Sequence, residues 1–277
     1  MVQAGGRRGD RAQFLPYTAS GSQVRGTYGL DFQARLAHHC HMDVRRFPDM
    51  EAMSRFAADL VGRAVAGAVA QRGRCALALA GGSTPRRTHG LLAAMPGLPW
   101  HAVHVFFGDE RCVPPDDPAS NLAMARETLL DHVPLPPGNL HPMDCSSGAV
   151  AGAAGYQAGL DAFFNGPPSF DLVMLGMGAD GHTASLFPSR GPEDDTGRWV
   201  TAVPGGLGNP PVARVSLTLA ALNTARLAVF LVSGPAKLAL MDAMAADPAG
   251  AARRWPAARV RPDAHGAGRV IWCAVRT

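Results

Sequence analysis

The segment FDLVMLGMGADGHTASLFP, residues 170–188, decides the expected fold, because an apolar run passes through glycines directly onto a histidine. Residues 172–175 form the kind of continuous apolar run that is typical of a parallel strand buried on both faces. The glycines at positions 176, 178 and 181 permit turns and a close approach of a ligand to the backbone. Ligands of open α/β sheets bind at the carboxyl ends of strands, so the segment predicts an open pocket that contains His182.

His182 is the predicted general base of this pocket. An imidazole with an ordinary pKa of about 6.5 can take a proton from water at neutral pH. Asp180 supplies a carboxylate that can orient the ring, and Gly178 leaves the backbone open to a ligand. The alternative interpretation is a loop histidine that only hydrogen-bonds its neighbours.

A second turn of this type follows the apolar run at residues 75–80. Small residues stand where this expected strand leads into a helical pattern, and they are Gly81, Gly82, Ser83 and Thr84. Backbone amides at a helix N-terminus can bind an anion. Taken alone, a glycine pair before a helix is more typical of a plain turn, which is the alternative here.

Charged residues follow a third apolar run, residues 103–107. An expected loop from Gly108 to Pro114 carries Asp109 and Arg111, and a capped helix is expected to begin near Asn121. The planar guanidinium of Arg111 can hold a carboxylate, a phosphate or a developing oxyanion. A solvated cluster of salt bridges is the alternative.

Lys237 is the only lysine of the sequence, whose other basic side chains are all arginine. It stands just after the apolar run at residues 227–232, at another expected turn from a strand into a helix. An ammonium group near helix amides is a natural phosphate ligand. The alternative is that one lysine has persisted by chance in an arginine-rich chain.

Together these blocks resemble the 6-phosphogluconolactonases of the pentose phosphate pathway, in that family's order. The blocks are residues 81–85, 109–114 with 120–121, 176–188, 214–219 and 233–237. The resemblance covers about residues 42–272. It implies a Rossmann-like α/β fold shared with glucosamine-6-phosphate deaminases and ribose-5-phosphate isomerases. It also implies hydrolysis of 6-phospho-D-glucono-1,5-lactone to 6-phosphogluconate without a metal or another cofactor.

The resemblance further implies roles for individual residues. His182 would deprotonate the attacking water, Asp180 would fix its tautomer, and Arg111 would meet the developing negative charge. The 6-phosphate would bind amides of the glycine-containing turn, with Arg214 and Lys237 neutralising it, and which cation binds the phosphate stays open. The other residues expected at the substrate are Gly81, Gly82, Ser83, Thr84, Asp109, Asn121 and Gly178.

Two other functions deserve comparison. Glucosamine-6-phosphate deaminases share the fold, but they carry a glutamate five positions after the histidine, where this chain has Phe187. They also carry Asp-Glu-Tyr where this chain has Asp109-Glu110-Arg111. A sugar-phosphate-sensing regulator would need an N-terminal DNA-binding module. Residues 1–41 are too short and too rich in glycine to supply one.

Strand and helix patterns alternate along the chain, which predicts one α/β domain over residues 42–277 with a mostly parallel sheet flanked by helices. Expected strands are at residues 43–47, 75–80, 103–107, 172–175, 227–232 and 270–272, and expected helices are at 50–71, 85–95, 121–130 and 150–164. Residues 189–211 are expected to be a loop rich in glycine and proline. Residues 1–41 lack apolar periodicity, which predicts a disordered extension and makes Met42 a second candidate start.

The composition indicates which kinds of molecule the protein binds. The net charge is +4 and the isoelectric point about 9.0, but the arginines are scattered rather than interleaved with aromatic residues. This favours an anionic metabolite over nucleic acid, and no apolar run reaches the roughly 18 residues of a membrane span. Five cysteines without a CxxC pair predict a cytoplasmic protein whose thiols are reduced. The protein is expected to be a monomer or a weak homo-oligomer. Residues 38–41, His-His-Cys-His, are expected to bind metal only opportunistically.

Overall fold

The computed structural model describes residues 42–190, 197–262 and 268–275. The predicted disordered extension, residues 1–41, lies outside these ranges, and so does the histidine-rich stretch at residues 38–41. In the described ranges, no helix combines the length and the apolar character needed to cross a membrane.

A parallel sheet forms the centre of the fold. Its strands are β1 Asp43–Phe47, β2 Cys75–Leu79, β3 Val103–Phe107, β5 Leu172–Gly176, β8 Leu227–Val232 and β9 Arg269–Val275. They lie in the order β1-β9-β8-β5-β2-β3, and every neighbouring pair is parallel. All five residues of β2 and the first four of β5 are buried, as expected for strands covered on both faces. The predicted mostly parallel α/β fold is confirmed.

Helices connect and cover these strands. They are α1 Met50–Arg72, α2 Pro85–Ala93, α3 Asn121–Thr128, α4 Ala149–Phe164, α5 Leu219–Leu222, α6 Pro235–Ala246 and α7 Pro248–Arg254. The ends of α1 show how local sequence sets them. The Asp49 carboxylate accepts a hydrogen bond from the Ala52 amide (2.7 Å), and the helix stops at Gly73, whose φ of +75° favours glycine.

A second, antiparallel sheet lies outside the predicted pattern. It contains β4 Asp109–Arg111, β6 Val200–Val203 and β7 Arg214–Leu217, in the order β4-β7-β6. The sequence pattern predicts loops at β4 and β6, and this prediction is wrong at both places, because the structure has strands there. β4 has only three residues, all charged, so it offers no apolar alternation. Its pairing with β7, which comes far later in the chain, makes it a strand.

His89 is a fully buried titratable residue on α2. Its Nδ1 atom lies 3.3 Å from the Thr128 hydroxyl, and that hydroxyl donates its own proton to the Met124 carbonyl (2.7 Å). Nδ1 is therefore the donor in this contact. The Nε2 atom is buried and has no hydrogen-bond partner among the described residues. Burial, reinforced by the charge of Arg86, lowers the pKa of His89 to about 4.

We expect this histidine to make the free energy of unfolding depend on pH. The unfolded chain takes up the proton near pH 6.5, whereas the folded protein does so only near 4. Stability from neutral His89 is therefore complete above pH 6.5 and is lost as the pH falls towards 4. The loss between pH 7.5 and pH 5 is about 2 kcal/mol.

Urea unfolding of the wild type and of His89→Gln at these two pH values measures the effect. The variant is less stable at neutral pH, but its stability should fall by about 2 kcal/mol less on acidification. An equal fall in both proteins would contradict the assignment.

Candidate active site

The site lies at the carboxyl edge of the parallel sheet. Three turns follow three neighbouring strands: the glycine turn (residues 81–84) follows β2, the histidine loop (residues 177–187) follows β5, and the lysine turn (residues 233–237) follows β8. The first and the last meet, since Thr84 Oγ1 lies 3.1 Å from Ser233 Oγ. This edge is where open α/β sheets bind their ligands, so the three predicted turns share one location.

His182 and Asp180 form a hydrogen-bonded pair in the histidine loop. His182 Nδ1 lies 2.6 Å from Asp180 Oδ1, and the His182 amide donates to the same oxygen (3.1 Å). The imidazole is 30% exposed, which leaves its ring accessible to water. Partial burial would raise the pKa of Asp180, but the hydrogen bonds and charge of His182 outweigh it and lower that pKa. The pair has the geometry of an oriented general base.

Gly178 makes room for this pair. A Cβ at this position would lie 2.1 Å from His182 Nδ1 and 2.5 Å from Asp180 Oδ1, distances that no real contact allows. The Gly178 amide also donates to the His182 carbonyl (2.9 Å). The sequence predicts Gly178 at the substrate. In the structure, the lack of a side chain at Gly178 leaves the space that His182 and Asp180 occupy.

Contacts that leave no signal in the local sequence hold the rest of the histidine loop. Gly181 has a φ of +85°, and Trp255 packs so closely that a Cβ at Gly181 would lie 2.4 Å from the indole. The Thr183 hydroxyl donates to the Gly176 carbonyl at the end of β5 (2.9 Å). The Phe187 ring lies 4.6 Å from the His182 ring, centroid to centroid. A tryptophan so distant in sequence offered no signal for its position.

Arg111 and Arg214 face each other as cross-strand partners of β4 and β7. Two like charges directly opposite each other are unfavourable without a counter-ion. Arg214 is 3% exposed, and burial, its largest influence, lowers its pKa; neighbouring Asp109 opposes this effect and Arg111 adds to it. Both Nε atoms are buried and lack hydrogen-bond partners among the described residues. Asp109, 3.9 Å from Arg214 Nη1, compensates part of this charge, and the arrangement still favours negatively charged groups of a ligand near these arginines.

The alternative of a solvated salt-bridge cluster does not describe Arg111. Within the residues that the structure describes, Arg111 makes no ion pair, and its Nη1 atom donates to the Ala119 carbonyl (2.5 Å). The neighbouring Glu110 is buried and caps α3 by accepting from the amides of Asn121 (2.7 Å) and Leu122 (2.8 Å). Burial raises the pKa of Glu110, although these backbone hydrogen bonds oppose the shift.

Asn121 explains why the glycine turn begins with glycine. Its side-chain amide donates to the Asp109 carbonyl oxygen (2.8 Å) and packs directly beneath Gly81. A Cβ at Gly81 would lie 1.8 Å from Asn121 Oδ1. The next residue, Gly82, has a φ of +91°, which favours glycine. Steric and backbone requirements therefore account for both glycines.

Lys237 stands in the first turn of α6, at the same edge of the sheet, and is partly exposed. The ion pairs among the described residues do not include it. The described side chains also contain no group of three or more histidine, cysteine, aspartate or glutamate residues suited to a metal ion.

Comparison with known proteins adds a family. Residues 48–272 match the family model described as "Glucosamine-6-phosphate isomerases/6-phosphogluconolactonase". The chain is 40% identical over 213 residues to the 6-phosphogluconolactonase of Synechocystis sp., a match covering 74% of this chain and 83% of that relative. The matched range contains every residue that we have placed at the site.

Solved structures agree with this likeness. The 6-phosphogluconolactonase of Thermotoga maritima superposes with a TM-score of 0.75 and 29% identity, covering 85% of this chain and 100% of that one. The 6-phosphogluconolactonase of Trypanosoma brucei superposes with a TM-score of 0.74 and 30% identity, covering 84% of this chain and 96% of that one. The likeness thus extends over nearly the whole of both solved chains.

Proposed function

Because this chain belongs to the glucosamine-6-phosphate isomerase/6-phosphogluconolactonase family, we propose that it hydrolyses 6-phospho-D-glucono-1,5-lactone with His182 as general base. The product is 6-phosphogluconate, and the reaction is the second step of the oxidative pentose phosphate pathway. The observation that carries the proposal is the His182–Asp180 hydrogen bond of 2.6 Å at the carboxyl edge of the sheet.

The chemistry requires little beyond this pair and a cation. A δ-lactone is an activated ester, so catalysis needs a positioned water, a base and stabilisation of the oxyanion. His182 removes a proton from the water that attacks C1, while Asp180 holds Nδ1 and stabilises the imidazolium. The imidazolium then returns the proton to the ring oxygen as the C1–O bond breaks. Arg111 meets the negative charge that develops on the carbonyl oxygen.

The phosphate end uses the other cations of the site. The amides of Gly82, Ser83 and Thr84 precede α2, and Thr84 contacts Ser233, which precedes Lys237 by four positions. We assign the 6-phosphate to this turn, with Lys237 and Arg214 as its counter-charges. Asp109, Asn121, Gly81 and Gly178 shape the surrounding pocket.

Phe187 separates this reaction from deamination of glucosamine 6-phosphate. The deaminases carry a glutamate at this position for opening the sugar ring, and a phenyl ring transfers no proton. Here the ring packs against His182 instead. We further propose that the enzyme works in the cytoplasm, as a monomer or weak homo-oligomer, on a small-molecule substrate without nucleic acid.

A coupled assay tests the activity. Glucose-6-phosphate dehydrogenase generates the lactone in situ, and 6-phosphogluconate dehydrogenase reports its hydrolysis as a second NADPH signal. We expect this protein to accelerate that second signal far above the spontaneous rate. A second signal no faster than the spontaneous one would overturn the proposed function.

Replacing Lys237 tests the phosphate assignment. We expect Lys237→Ala to raise KM for the phosphorylated lactone about tenfold or more, because a charge-assisted contact contributes about 1.5–3 kcal/mol. KM for unphosphorylated glucono-1,5-lactone should change little, since that substrate has no phosphate. Contacts equal in the ground and transition states leave kcat unchanged. Steady-state kinetics with both lactones measures the split.

Lys237→Arg is the matched control, because it keeps the charge and changes its shape. It should recover part of the lost affinity. An equal fall of kcat on both lactones in Lys237→Ala would instead place the lysine at the reacting carbonyl.

A further inference from the structure

Asp109 is a buried carboxylate whose oxygens are already occupied by protein groups. It is 7% exposed. Its Oδ2 atom accepts a hydrogen bond from the Ser185 hydroxyl (2.5 Å) and lies 3.9 Å from Arg214 Nη1. Its Oδ1 atom accepts from the Asn121 side chain (3.2 Å). A buried carboxylate that holds groups from three separate segments can fix the positions of those segments relative to one another.

Ser185 belongs to the histidine loop, three positions after His182. The side chain is fully buried, and its hydroxyl donates to Asp109 at the start of β4. Its amide donates to the Ser216 hydroxyl (3.1 Å), and Ser216 is the cross-strand partner of Asp109 on β7. The antiparallel sheet therefore holds the far side of the loop at two points.

The Asp109 carboxylate also faces Arg214. It therefore contacts both the loop of the base, through Ser185, and a cation that we assign to the substrate. Phe187 provides a second connection between the loop and Arg214. Its ring packs on His182, and the ring centroid lies 5.8 Å from the Arg214 guanidinium carbon. The histidine loop follows β5 of the parallel sheet, whereas Arg214 belongs to the other sheet. Their separation therefore depends on the contacts between the two sheets.

We propose that Asp109 is a positioning residue that, through Ser185 and Arg214, holds the His182 loop at a fixed distance from the cations that bind the substrate. This inference rests on the proposed function and adds to it a residue that acts without touching the lactone. Positioning matters because a displacement of about 1 Å can cost roughly a hundredfold in rate. Losing the Ser185 hydrogen bond should loosen the loop while leaving Arg214 beside its carboxylate.

The experiment compares Ser185→Ala, Asp109→Asn, the double variant and a control in the coupled lactone assay. Ser54→Ala is the matched control, because Ser54 is equally buried on α1 and its hydroxyl has no partner among the described residues. Thermal unfolding of every variant separates loss of fold from loss of rate. The Ser185 variant keeps the test decisive if Asp109→Asn does not fold.

We expect Ser185→Ala to lower kcat about tenfold or more, with KM within about twofold of the wild type, because positioning of the base affects the chemical step. The double variant should lose no more kcat than Asp109→Asn, because both changes break the same link. Ser54→Ala should keep the wild-type kcat.

Several results would overturn the inference. They are a kcat of Ser185→Ala matching that of Ser54→Ala, a loss confined to KM, or losses of kcat that multiply in the double variant. An active wild type with any of these results overturns the inference alone. A wild type without lactonase activity overturns the proposed function and this inference with it.

Discussion

His182→Ala should lower kcat by roughly a hundredfold or more, the usual scale for loss of a general base. The imidazole is partly exposed and stands on a loop, so its removal should leave the thermal unfolding temperature nearly unchanged. Asp180→Asn should cost less rate, and it should displace the acidic limb of the activity profile, because an amide cannot stabilise the imidazolium. Steady-state kinetics across pH, with thermal unfolding of each variant, measures both effects.

The matched control is His101→Ala. His101 is exposed and stands two positions before β3, at the amino edge of the sheet and away from the site. We expect wild-type kinetics from it. Near-normal kcat in His182→Ala would remove this histidine from the mechanism, and an unchanged pH profile in Asp180→Asn would give Asp180 a purely structural role.

Asp171→Asn should have the largest effect on stability, lowering the free energy of unfolding by about 3 kcal/mol. The buried carboxylate accepts from the Arg72 side chain (2.8 Å) and the Ala76 amide (2.8 Å), and Arg226 Nε lies 3.7 Å away. These groups join α1, β2 and the start of β8 at the amino edge of the sheet. An asparagine presents one acceptor oxygen and no charge, so it cannot accept from both the Ala76 amide and the Arg72 guanidinium.

Asp43→Asn is the control for this prediction. Asp43 is more exposed, and it pairs with Arg45 (2.7 Å) and Arg269 (3.5 Å) at the edge strand β1. Exposed ion pairs contribute about 0–1 kcal/mol, so we expect a small change. Urea unfolding at neutral pH compares the two. Equal losses of stability in both variants would show that burial of Asp171 does not matter.

Local sequence predicted most of the parallel sheet and its helices. Residues 75–79 and 172–175 are apolar throughout. Such runs predict buried strands even when the neighbouring strands are unknown. The caps of α1 and α3 are likewise side-chain contacts over three residues, readable from Asp49 and Ser120. The hydrogen bond between His182 and Asp180 spans two positions, so its partners were also visible in the sequence.

Contacts between distant segments could be decided only by the tertiary structure. β4 is a strand because β7 pairs with it, and this pairing sets Arg111 opposite Arg214. Ser185 reaches Asp109, and Trp255 reaches Gly181, only after the chain has folded. Periodicity and capping are short-range properties of consecutive residues. Burial, charge pairing and the distance between the base and the substrate-binding cations depend on which segments contact each other. The spacing of residues within one segment does not specify those contacts.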